Sequence, residues 1–232
     1  MTRFFILIIA ACSCFACQEQ PGAYKQLAVA TLDTVPPTKK PKVVNPKPEN
    51  LKAAGFADVE QLDSSILIDI RYATTNNFMK AKVYDCARCL LRPEAAQAVV
   101  KAQKILKAKG YGLKMHDCYR PRPYQQRLWD KVPDPNYVTP PAKGSMHSRG
   151  AAVDLTLVDA RGNELDMGTP YDFFGVEAHS DYTKLPQKVL DNRKLLTETM
   201  AAVGFKGIRT EWWHFSYQAK TYPLSDFLWN CE

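Results

Sequence analysis

Proline placement sets the limits on what this chain can fold into. Five of its 16 prolines, Pro36, Pro37, Pro41, Pro46 and Pro48, fall among Thr, Lys and Asn with few large apolar side chains. Each fixes φ and removes a backbone donor, so the stretch reads as an extended, semi-rigid spacer. Pro133, Pro135, Pro140 and Pro141 confine residues 132–143 to loop in the same way. Regular structure is left to one run that begins near residues 56–62 and continues to the C-terminus. That is enough chain for a single hydrophobic core. With 46% hydrophobic and 24% charged residues, the composition is that of an ordinary globular domain rather than a disordered or fibrous chain.

The N-terminus reads as a targeting segment. Arg3 precedes an almost wholly apolar or small run from Phe4 to Ala16. This run is shorter than the roughly 20 residues of a spanning helix and fits the h-region of a secretory signal. Cys12, Cys14 and Cys17 crowd its end, as in the lipobox of bacterial lipoproteins. Cys12 has the better preceding residues, whereas Cys17 gives the better h-region length and is followed by polar residues, which favours it slightly. Residues 1–17 are therefore expected to be a signal peptide of lipoprotein type, and residues 18–55 a Pro/Lys-rich linker. The protein is expected to be exported to the periplasm and anchored to a membrane through a lipidated cysteine.

Four further cysteines, Cys86, Cys89, Cys118 and Cys231, suit disulfides in an exported chain, with three connectivities open. The net charge of +7 is partly local, in Lys39, Lys40, Lys42, Lys47 and Lys52. These would be drawn to anionic lipids or wall polymer, although a solvated tail with no specific partner is the simpler reading and is preferred. No basic motif interleaved with aromatics points to nucleic acid.

Periodicity predicts a strand over residues 66–72, a helix over 93–109 capped by Gly110, and a strand over 111–116. A short helix over 123–131, a strand over 150–158, a helix over 186–203 closed by Gly204, and a last strand over about 205–217 follow. This mixture predicts an α+β single domain with a small, mostly antiparallel sheet and flanking helices.

The chain has four histidines. His116 and His179 read as ordinary hydrogen-bonded polar residues. His147 lies seven residues before Asp154, with Gly150, Ala151 and Ala152 between them, and His214 follows Glu211-Trp212-Trp213. Two imidazoles and one carboxylate form the donor set of a catalytic zinc site, which keeps one position open for water. Glu211 would sit close enough to act as general base, and Trp212 and Trp213 would wall the site and lower its dielectric. A three-residue offset puts Glu211 and His214 on opposite faces of a regular strand, so the backbone must bulge or turn there.

The motif Ser145-x-His147-x-x-Gly150-x-Ala152-x-Asp154, followed by Glu211-Trp212-Trp213-His214, resembles the VanX-type D-Ala-D-Ala dipeptidases among the zinc D-alanyl-D-alanine peptidases. The likeness runs from Arg71-Tyr72-Ala73-Thr74 through Asp117-Cys118-Tyr119-Arg120-Pro121 to the C-terminal motif. It implies that His147, Asp154 and His214 bind one Zn2+ per chain and that Glu211 is the catalytic base. It further implies that Arg120 stabilises the oxyanion, that Ser145 lies near the substrate carboxylate, and that Asp172 and Tyr72 hold the free amine. The implied activity of residues 56–232 is hydrolysis of a small D,D-dipeptide, D-Ala-D-Ala above all, in cell-wall peptide metabolism. A D,D-carboxypeptidase or endopeptidase acting on stem peptides, and a non-catalytic zinc-containing wall-binding module, are the competing readings. Cys118 lies close enough to Arg120 for a bridge there to shape the site.

Overall fold

The structure, a computed structural model, describes residues 51–135 and 138–231. The expected signal, the candidate lipobox cysteines and most of the expected linker lie outside the described residues. At the start of the described residues Leu51 is buried and its carbonyl accepts from Phe56 N.

Strand β1 (Ala57–Asp58) leads into a single helical turn, α1 (Val59–Leu62), capped by the Asp58 side chain. β2 (Leu67–Ile68) follows, and β1 pairs antiparallel with β3 (Leu90–Leu91). Helix α2 (Pro93–Lys107) starts with proline in its first turn, where the missing donor costs nothing. Its apolar spacing buries Val99, Ala102 and Leu106. Burying Val99 and Leu106 contributes about 1.5–3 kcal/mol each. β4 (Tyr111–Asp117), α3 (Arg122–Lys131), β5 (Ala152–Asp159), α4 (Gln187–Ala202), β6 (Phe205–Gly207) and β7 (His214–Tyr217) complete the chain.

The main sheet has the order β2-β4-β5-β7-β6, with β2 parallel to β4 and every other pair antiparallel. Helix α2 packs on β4, α4 packs on β5 and β6, and the two helices touch each other. This is the α+β, mostly antiparallel layout that the sequence predicts.

Two strand expectations need correction. The run 66–72 pairs only at Leu67 and Ile68, and Arg71–Ala73 forms a 3-10 turn. The run 205–217 is a hairpin rather than one strand, because residues 208–213 leave the sheet between β6 and β7. That excursion removes the conflict over Glu211, which stands before β7 and obeys no strand alternation.

Register aligns the site. Asp117 pairs with Asp154, and Asp154 pairs with His214, which sets the three residues in a row across β4, β5 and β7. The row depends on an irregularity. Met115 faces Leu155 and Asp117 faces Asp154, so His116 is the extra residue of a β-bulge. Without it, His116 would occupy the place of Asp117 beside Asp154.

Candidate active site

Two of the candidate ligands sit on adjacent strands, and the third arrives on a turn. His147 begins a 3-10 turn, His147–Arg149, that ends at Gly150 with φ 69°. A side chain at residue 150 would be strained by that φ, and its Cβ would come within 2.6 Å of the Phe56 ring. The turn is fastened at both its backbone and its ring: His147 O accepts from Arg120 N at 3.1 Å, and Nδ1 lies 2.7 Å from the Cys118 carbonyl. A carbonyl only accepts, so Nδ1 carries the proton and Nε2 presents its lone pair.

That lone pair faces a triangle. His147 Nε2 is 3.1 Å from His214 Nδ1 and 3.3 Å from Asp154 Oδ1, and His214 Nδ1 is 3.0 Å from Asp154 Oδ1. A tetrahedral ion with bonds of about 2.0–2.1 Å separates its ligand atoms by about 3.3 Å. The residues present therefore fit zinc, with the fourth corner left open. Burial opposes charge on Asp154, but His147 and His214 more than reverse this and hold its carboxyl well below the usual range. Burial also opposes charge on His147, yet Asp154 and Asp117 outweigh it and raise its pKa.

A cavity of about 280 Å³ opens beside the triangle, and Tyr72, Arg120, Ser145, Asp172, Glu211 and Trp213 are among the residues lining it. All eight predicted site residues are thus brought together. Glu211 Oε2 lies 3.8 Å from His214 Nδ1, and burial lifts its carboxyl above the ordinary glutamate value. Asp172 adopts φ 59°, a conformation that aspartate tolerates better than most residues and that collects at functional sites. Burial and the nearby Asp154 push its carboxyl well up. The Tyr72 hydroxyl donates to Asp172 Oδ1 at 3.3 Å, while Oδ2 is buried with no hydrogen-bond partner. Ser145 Oγ accepts from Ser148 N at 3.2 Å.

Arg120 is held firmly. Its Nε and one terminal nitrogen reach Asp117 Oδ2 at 3.0 and 2.5 Å, the other terminal nitrogen donates to Gln125 Oε1 at 3.1 Å, and the guanidinium lies 5.0 Å from the Tyr72 ring centre. Burial opposes its charge, but Asp117 keeps it firmly protonated. Asp117 stands three residues from Arg120, in a motif visible in the sequence, and that spacing could have marked it. Gln125, the Cys118 carbonyl and Tyr84, whose hydroxyl donates to Asp117 Oδ1 at 2.7 Å, carry no comparable signal.

The two tryptophans divide their work. Trp213 lines the cavity, but Trp212 packs edge-on against it and donates to Thr169 Oγ1 at 2.8 Å. Only one of them walls the site, because Trp212 turns away to satisfy its indole N–H.

The cysteines pair as Cys86–Cys231 and Cys89–Cys118, and the second bridge ends on the residue whose carbonyl orients His147. His179 Nδ1 is 3.1 Å from an Arg209 nitrogen. His116 departs from expectation, being buried with no hydrogen-bond partner at Nδ1. Its ring belongs to a second group of ligand-type side chains with Asp69 and Glu164. Arg71 pairs with both of those carboxylates and Lys114 with Glu164, so their charge is already balanced without a metal.

An open three-ligand face beside a half-buried carboxyl and a fixed guanidinium is the arrangement of hydrolytic zinc enzymes. A family model described as D-ala-D-ala dipeptidase matches residues 52–228, and the chain belongs to this family of zinc metallopeptidases. A D-alanyl-D-alanine dipeptidase of Escherichia coli is 40% identical over 177 residues, covering 76% of this chain and 92% of that relative. One from Enterococcus faecium is 30% identical over 197 residues, covering 75% and 96%. A solved structure of VanYB in complex with D-alanine-D-alanine is similar at 17% identity and a TM-score of 0.39, covering 56% of this chain and 72% of that one.

Proposed function

We propose that this protein hydrolyses the D-alanyl-D-alanine dipeptide in cell-wall peptide metabolism, using one zinc ion per chain held by His147, Asp154 and His214. The observation that carries the dipeptide reading is Asp172 Oδ2, a buried oxygen without a partner in the wall of the cavity. A free ammonium would satisfy it, and an acylated amine would leave it desolvated and unpaired.

When bound, zinc supplies a Lewis acid for the scissile carbonyl and lets a water ionise near neutral pH. The remaining work falls to the chain. Glu211 takes the proton of the attacking water and delivers it to the leaving amine, a role suited to a carboxyl with a raised pKa. Arg120 faces the oxyanion with a guanidinium that Asp117 and Gln125 hold in place, so little reorganisation accompanies the developing charge. Asp172 and Tyr72 receive the amine, and Ser145 lies toward the carboxylate end.

The competing peptidase reading, action on longer stem peptides, conflicts with a buried carboxyl oxygen that a free ammonium would pair and hold ionised. A non-catalytic binding module has no use for both Glu211 and Arg120. The test is turnover of D-Ala-D-Ala against its N-acetylated form, with chelator and zinc add-back, for the wild type and Glu211→Gln. We expect the free dipeptide to be preferred, activity to vanish with chelator and return with zinc, and Glu211→Gln to lose at least about 100-fold in kcat with zinc retained. Equal cleavage of the acylated substrate would move the assignment to a carboxypeptidase, and undiminished turnover by Glu211→Gln would remove the base.

The proposal extends to location. The protein is read as an exported, periplasmic lipoprotein tethered through a cysteine of residues 12–17. The two disulfides support this, since such bonds persist in oxidising compartments.

A further inference from the structure

The two oxygens of Asp154 have different neighbours. Oδ1 completes the triangle with the two imidazole nitrogens. Oδ2 accepts a hydrogen bond from the Tyr171 hydroxyl at 3.0 Å. The Tyr171 ring cannot swing away easily, because it is wedged between the rings of His116, at 5.1 Å between centres, and Trp213, at 5.4 Å. The bulge on β4 is what brings His116 into that position.

A carboxylate beside a zinc ion can offer one oxygen or both. Offering both fills the corner that the attacking water needs, and an unheld carboxylate also spends time turned away from the metal. A donor fixed on one oxygen removes both alternatives. We propose that Tyr171 is a positioning residue for the metal centre: it holds Asp154 as a one-oxygen ligand and so keeps the fourth corner open. The inference rests on the reading of Asp154 as a zinc ligand. It also gives the Tyr171-Asp172 pair a joint logic, with one side chain setting the metal ligand and the next awaiting the substrate amine.

Tyr171→Phe deletes a single oxygen and keeps the ring packing. Its zinc affinity would be measured by competition with a chromophoric chelator, and the visible absorption of the cobalt-substituted protein would report coordination number. We expect an affinity loss of about 10–100-fold, the usual effect of removing such an outer hydrogen bond. We also expect weaker cobalt bands, as the released carboxylate donates both oxygens. Circular dichroism of the metal-free variant confirms that it folds, and Tyr171→Leu, which carries no donor, should share the phenotype. Unchanged affinity and an unchanged cobalt spectrum in both variants would overturn the inference and leave the ligand set standing. A wild-type protein that takes up no zinc would overturn the ligand set itself.

Discussion

At the scale of single residues, the chemistry follows from which atoms the fold leaves wanting a partner. Asp172 Oδ2 lies buried without a partner in a residue that lines the cavity, and His116 Nδ1 lies buried without a hydrogen bond. The histidine has a consequence for stability. Burial, with Arg71 nearby, lowers its pKa from 6.5 to about 4. Above pH 6.5 it is neutral in both folded and unfolded chains, so nothing is lost there. As the pH falls from 6.5 toward 4, the unfolded chain takes up a proton that the folded one refuses, which costs up to about 3 kcal/mol. Urea unfolding of His116→Gln across this window should therefore fall less steeply with acid than the wild type. Parallel curves would show that His116 titrates normally. His147, Asp154, His214 and Glu211 were legible in the sequence because histidines are few and the spacing is specific. The part played by Tyr171 was not, since its bond to Asp154 exists only once residues 17 apart in sequence have folded together.

At the scale of elements, strands and helices with strong periodicity read correctly, and the interruptions did not. Helix α2 stands within two residues of its expected ends because apolar spacing, Pro93 and Gly110 agree. The 205–217 run misled because Phe205, Trp212, Trp213 and Phe215 look like one strand, whereas residues 208–213 leave the sheet to carry Glu211 to the site. The bulge at His116 is invisible to alternation, yet it decides which residue of β4 stands beside Asp154. The Cys89–Cys118 bridge works at this scale too, since it ties the end of β4 to β3 behind the ligand turn. Replacing both cysteines with serine should cost about 3–4 kcal/mol of stability for a loop of this size. It should also weaken zinc binding, because the Cys118 carbonyl that orients His147 is no longer braced. Chemical denaturation and chelator competition on the double variant check both. A destabilised protein with wild-type zinc affinity would mean that the bridge serves the fold alone.

At the scale of the whole molecule, among the described residues no helix is long and apolar enough to cross a membrane, and the proposed attachment is a lipidated cysteine within the first 17 residues. We expect the full chain to fractionate with membranes and to incorporate labelled fatty acid, and Cys17→Ser to appear in the soluble fraction. Retention of label in that variant would move the attachment to Cys12 or Cys14. Dipeptide turnover by the soluble form should equal that of the tethered one, since every residue assigned to the site lies within residues 72–214.

The pairing of the cysteines also imposes an order of events on biosynthesis. Cys89 meets its partner after 29 residues, but Cys86, three positions earlier, must wait for 145. During that interval a chain oxidised as it emerges holds Cys86, Cys89 and Cys118 with only one correct bond available among them. A bond from Cys86 to Cys118 at this stage would occupy the sulfur beside the ligand turn and could be undone only by thiol exchange. Yield of active enzyme should thus depend on disulfide isomerisation more than on oxidation itself.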